Sequence, residues 1–228
     1  NHQSTAPNTL DNPGNDEHID RLRHASRNGS CDEEKDRGDD NGLTAEQVAD
    51  LARAVAAGLL AAGVLPVVKH MPGHGRATKD SHFELPVVNA ARADLAASDF
   101  LAFRLLNDLP AAMTAHVVFT AIDAHHPAST SPDVTRLIIR GEIAFDGLLM
   151  SDDLSMKALS GSIGKRAEAV LAAGSDLALH CNGILAEMEE AAAGVAPLAG
   201  ASRERFDAAR AAMTEGRRPM EIADAEAA

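Results

Sequence analysis

The 228 residues carry 21 Lys plus Arg against 34 Asp plus Glu, a net charge of −13, with 45% hydrophobic side chains and neither Trp nor Tyr. This length suits one globular domain with a sizeable core, and so acidic a chain argues against nucleic acid or an anionic membrane as partner. No apolar run approaches the roughly 20 residues of a membrane span, and two cysteines, Cys31 and Cys181, make no disulfide framework.

Residues 1–42 hold ten acidic and five basic side chains, and their only apolar ones are Ala6, Leu10, Ile19, Leu22, Ala25 and Cys31. Such a segment buries too little surface to offset its ordering entropy, so it is expected to be polar and disordered. It opens with no apolar stretch of the secretory type, which points to a cytoplasmic protein.

Ordered patterning begins at Leu43. Thr44 and Gln47 form a capping box ahead of Val48, Leu51, Val55, Leu59 and Leu60 at helical spacing, with a stop at Gly63. Val64–Lys69 then reads as a buried strand leading into a Gly-rich loop. Residues 91–106 read as one helix, 111–119 as a strand, and a helix starts at Ser131-Pro132. Residues 147–151 form a third strand, 166–173 a helix, and 177–180 a fourth strand. Two Ala-rich helices precede a polar tail at 216–228. Helices alternating with strands that are apolar on both sides predict an α/β fold, a parallel sheet covered by helices. A complete (β/α)8 barrel needs eight strands in about 250 residues. Four are legible, so residues 43–215 read as a partial barrel with two open edges: such a chain is expected to be unstable alone, to associate with itself edge to edge, or to be a fragment of a longer gene product.

Parallel α/β folds place their chemistry just past the carboxyl ends of the strands. Here those ends carry Lys69-His70, then Met71-Pro72-Gly73-His74-Gly75-Arg76 and Asp80-Ser81-His82; Thr114, His116 and Asp123; Ser151-Asp152-Asp153; and His180-Cys181-Asn182. A purely structural rim would carry small or apolar residues instead. Taken alone, Asp80-x-His82 is a solvated turn. His74 is expected to shape its loop by bonding backbone, His116 to be either a pocket wall or a satisfied buried histidine, His125-His126 to face solvent, and Cys181 to be a small buried hydrophobe.

The strings KHMPGHGRATKDSH with ELP, MTAHVVF and FDGLLMSDDLSM resemble the bacterial β-N-acetylhexosaminidases of glycoside hydrolase family 3, of the cell-wall recycling type. The resemblance runs from about Leu43 to Met213. It implies a (β/α)8-type barrel, of which the strands legible here are the C-terminal half. It also implies a cofactor-free retaining hydrolysis that removes terminal N-acetylglucosamine from muropeptides. On the matching positions, Asp152 is the nucleophile and His82 the acid/base, with Asp80 as its partner. Lys69 and His70 bind sugar hydroxyls, and Arg37 resembles the substrate-binding arginine ahead of the Thr44 helix. Asp153 fits a supporting role. The chemistry is coherent from below: a carboxylate can attack an anomeric carbon, and a carboxylate partner fixes the tautomer of an imidazole that moves a proton. Pro72, Gly73 and Gly75 would form the turns of a mobile loop that swings His82 toward the sugar.

Two rival readings stand beside this one. A zinc-dependent hydrolase would use His70, His74, His82, His116 and Asp152, although HxxxH across Pro72-Gly73 cannot be a helical metal pair. A remnant, or a subunit completing another half-barrel, would need no activity of its own.

Overall fold

The computed structural model describes residues 42–217. The readings placed on residues 1–41, including Arg37 and Cys31, and on the tail beyond Arg217 lie outside them.

Helix α1 (Ala45–Ala61) opens on the expected capping box: Gln47 N–H donates to Thr44 Oγ1 at 3.3 Å, and Thr44 N–H donates to Gln47 Oε1 at 2.9 Å. It ends at Gly63, whose φ of +75° favours glycine. Strand β1 (Val67–Met71) follows, set later than the Val64–Lys69 reading because Val64 N–H still caps the helix on Leu59 O. A long loop leads to the two-residue strand β2 (Val87–Val88), then to helices α2 (Arg92–Ala97) and α3 (Asp99–Arg104). The single helix expected over 91–106 is broken at Ser98 (φ −127°, ψ −73°). The Ser98 hydroxyl donates back to Asp94 O and also accepts from Arg76, so it competes with the helical ladder.

Residues 111–119, expected as one strand, form two. β3 (Ala111–Thr114) lies in the main sheet, while β4 (Val118–Phe119) pairs in parallel with β2. Between them the chain leaves the sheet, with Ala115 O and Val117 O accepting from Ser129 and Ala128 of a one-turn 3₁₀ helix, Ala128–Thr130. The helix after Ser131 is wide, spanning Val134–Glu142 with an i→i+5 bond from Ile143 N–H to Ile138 O. Then come β5 (Leu148–Asp153), α4 (Ile163–Ala172), β6 (Leu177–Leu179), α5 (Leu185–Ala193) and α6 (Gly200–Glu215).

The main sheet is parallel, in the order β1-β3-β5-β6, with registers Val67↔Ala111, Ala111↔Leu148 and Met150↔Leu177. Strands in chain order with helices between them are successive staves of a (β/α) barrel, so the expected α/β class and partial-barrel architecture stand. The central core gathers Met71, Leu95, Phe100, Phe119, Ile138 and Phe145 around these strands, all essentially inaccessible to solvent. At the opposite end from the carboxyl tips, buried Asp176 ties three elements together. It accepts from Leu149 N–H, from Ser202 Oγ at 2.7 Å, from Arg140 at 2.9 Å and from Arg205 at 3.2 Å. Among the described residues no helix is long and apolar enough to cross a membrane.

Candidate active site

The parallel register brings the carboxyl ends of the four main strands to one rim. Met71 O accepts from Ala115 N–H, and Leu179 O from Leu154 N–H, both at 2.8 Å. Asp152 sits near the end of β5, almost fully buried. Its Oδ1 accepts from the N–H of Asp153 at 2.9 Å, which orients the carboxylate. Oδ2 is left toward His70, 3.7 Å from its Nε2, a separation too long for a hydrogen bond. Burial lowers the His70 pKa to about 4, against the opposing pull of Asp152, so at neutral pH the imidazole is uncharged and leaves the carboxylate unpaired. Lys69, one residue earlier, is exposed at the same strand end.

Asp153 turns away from this position. Its side chain accepts from the Ser155 hydroxyl, from Ser155 N–H at 3.1 Å and from Cys181 N–H at 3.0 Å. Burial pushes its carboxyl up, but these bonds hold it below the usual range. It therefore fastens the β5 tip to the β6 tip, the supporting role expected.

His82 lies on the loop between β1 and β2. Asp80 Oδ1 accepts from both the backbone N–H of His82, at 2.9 Å, and its ring Nδ1, at 2.8 Å. Those two bonds, the backbone one first, hold the Asp80 carboxyl below its ordinary range. With Nδ1 committed as donor, Nε2 is the atom free to exchange a proton, and the imidazole is 72% exposed. The loop is fastened by His74 Nε2 to the buried Ser81 hydroxyl (3.2 Å), by Arg76 to Asp99 (2.7 Å) and by Lys79 to Glu84 (2.6 Å). Lys157, five residues beyond Asp152, donates its N–H to His82 O at 3.4 Å, and its ammonium lies 5.9 Å from the Phe83 ring centroid. The structure thus sets His70 near Asp152 without a hydrogen bond, joins Asp80 to His82, and lays the two loops side by side. Among the described residues no hydrogen bond or ion pair links His82 directly to Asp152.

Other readings resolve residue by residue. His116 is the satisfied buried histidine: Nδ1 pairs with Ser129 Oγ at 2.7 Å and Nε2 with Asp153 O at 3.1 Å, and burial lowers its pKa. His74 bonds a side chain rather than backbone. His125 and His126 face solvent in a turn built on Asp123. Cys181 is exposed, not buried, because its N–H is drawn to Asp153 at the open end of β6. Desolvation, then the Asp153 and Asp152 charges, raise its thiol pKa. The His180 side chain is buried and pairs with Glu187 Oε2 at 2.9 Å. Among the described residues no three His, Cys, Asp or Glu side chains are gathered closely enough to hold a metal ion, so the zinc reading has no ligand set there.

One residue escaped the sequence reading. Arg166, read only as the start of a helix, reaches back from α4 to Leu154 O (2.7 Å), Met156 O (3.2 Å) and Gly161 O (2.9 Å), bracing the loop that follows Asp152. Its partners are carbonyls fixed by loop path, and no local pattern announces them.

Residues 33–214 match the N-terminal domain of glycosyl hydrolase family 3. The chain belongs to this family. A β-hexosaminidase of Alkalilimnicola ehrlichii is 44% identical over 141 residues, covering 60% of this chain and 40% of the relative. One of Pseudomonas aeruginosa is 43% identical over 140 residues, covering 60% and 42%. Among solved structures, NagZ from Neisseria gonorrhoeae in complex with N-trifluoroacetyl-D-glucosamine superposes with a TM-score of 0.65 at 32% identity. That superposition covers 81% of this chain and 56% of the other. A family 3 β-N-acetylglucosaminidase from Paenibacillus gives 0.64 at 34%, covering 77% and 35%. The chain spans about two fifths of the length of the curated relatives it matches.

Proposed function

We propose that this family 3 chain carries the nucleophile and the acid/base of a retaining β-N-acetylhexosaminidase. Its substrate is terminal non-reducing β-linked N-acetylglucosamine on peptidoglycan-derived muropeptides, a recycling role that belongs in the cytoplasm. The observation that carries this reading is the paired arrangement at one rim. A buried, oriented carboxylate, Asp152, shares the rim with a loop on which Asp80 locks the His82 tautomer.

In the first step Asp152 Oδ2 attacks the anomeric carbon while His82 Nε2–H protonates the departing oxygen, giving a covalent glycosyl-enzyme. In the second, His82, now neutral, takes a proton from water, which displaces Asp152 and restores the β configuration. Lys69 and the neutral His70 donate to sugar hydroxyls at the β1 tip, and Arg37 is assigned to the substrate as well. The resemblance of the β1 and β5 strings to β-hexosaminidase sequences supports these roles. Purified chain should release 4-nitrophenol from 4-nitrophenyl N-acetyl-β-glucosaminide, and Asp152→Ala should abolish that release. A folded, monodisperse sample with no turnover would leave the remnant reading in possession.

A further inference from the structure

Away from the strand tips, a cleft of about 530 Å³ runs between α4 and the segment that opens the wide helix. Its floor is small and apolar: Ala169, Ala172 and Ala173 on one side, Pro127 and Pro132 on the other. Toward the start of α4 the lining turns basic, with Lys165 and Arg166, and with the His125 and His126 imidazoles across from them. No Asp or Glu is among the fourteen lining residues, in a chain whose net charge is −13. Lys165 is exposed and makes no ion pair among the described residues. Arg166 commits Nε and Nη1 to the three carbonyls of the β5–α4 loop, which leaves Nη2 without a partner among the described residues. Asp123, beside the two histidines, lies outside the lining. Its oxygens accept from the N–H groups of His125 and His126, the His126 ring and the Ser131 hydroxyl, so its partners are those histidines and not Lys165 or Arg166.

We infer that this cleft binds a small oxyanion, a carboxylate or a phosphate, attached to a compact apolar body, with the anion between Lys165 Nζ and Arg166 Nη2 and the body on the alanine–proline floor. The assignment goes beyond the proposed hydrolysis and does not depend on it. A cationic end over an apolar floor selects such a ligand by charge-assisted hydrogen bonds at one end and area burial along the other.

The test is calorimetric titration of the full chain with inorganic phosphate, with N-acetylalanine and with its uncharged amide at low salt. The two anions, or one of them, should bind and the amide should not; which anion binds more tightly distinguishes phosphate from carboxylate as the source. Lys165→Ala should weaken anion binding by about tenfold, the loss of one charge-assisted hydrogen bond, with an unchanged circular-dichroism spectrum. Added sodium chloride should weaken it further. Binding of the amide as tightly as the acid, anion binding unchanged in Lys165→Ala, or no binding of either anion would each overturn the assignment.

Discussion

A histidine acting as acid and base beside an ionised partner leaves a kinetic trace that a plain structural histidine does not. In His82→Ala the proton for the leaving oxygen is lost, and general acid catalysis of this kind contributes about 10²–10⁴-fold. A natural disaccharide should slow by that order, whereas a substrate with a very good leaving group should keep most of its rate of glycosyl-enzyme formation. Equal losses on both would remove His82 from the acid role. His70 gives a second residue-scale expectation, with the sign set by its burial. Its pKa falls from 6.5 to about 4 in the fold, so between those values the unfolded chain holds a proton that the folded chain does not. Stability should therefore drop as pH falls from 6.5 to 4, by on the order of 2–3 kcal/mol from this residue, and His116, also lowered, adds in the same direction. Urea midpoints measured across that window for the parent and for His70→Gln should differ in slope. Parallel curves would mean that His70 titrates alike in both states.

Elements pack through contacts that patterning announces unevenly. The capping box at Thr44, the four main strands and the gathering of polar residues at their carboxyl ends are legible because each rests on local spacing: a cap three residues from its partner, an apolar run, or polar residues just after it. The β2–β4 sheet, the break at Ser98 and the 111–119 split are not, since each depends on a partner distant in sequence: Arg76 for Ser98, Ser129 and Ala128 for the chain after β3. The Arg166 brace and the Cys181 exposure escaped for the same reason. At the α4–α5 crossing two glycines meet, and a Cβ on Gly194 would collide with the backbone of Gly164. Gly194→Ala should cost about 1–3 kcal/mol by forcing the helices apart, read as a lower urea midpoint with the slope unchanged. An unaffected midpoint would show that the crossing yields without strain.

On the scale of the whole molecule, stability and association pull on opposite ends of the sheet. The Asp176 hub joins the wide helix, β5 and α6 at the strand starts, and its side chain is nearly inaccessible. Asp176→Ala would leave Arg140 uncompensated, and breaking such a buried pair costs about 3–5 kcal/mol, enough to unfold a marginal domain at ambient temperature. The sheet's flanks behave differently. In the order β1-β3-β5-β6, the edge strands among the described residues are β1 and β6. Beside the first, α1 shows Val48, Val55 and Leu59 to solvent; beside the second, Ile184, Leu185 and Met188 do the same at α5. Each flank is an apolar face of the kind that a neighbouring stave covers in a closed barrel, so the two faces should find each other on different copies. Net charge of −13 opposes that encounter at low ionic strength. Sedimentation velocity should therefore show association that grows with protein concentration and strengthens as salt screens the repulsion, the reverse of an ion-pair interface. Leu185→Glu with Met188→Glu should return the chain to the monomer at every salt concentration. A parent chain that stays monomeric at high salt would mean that these faces are quiet, and a double variant that still associates would move the contact elsewhere.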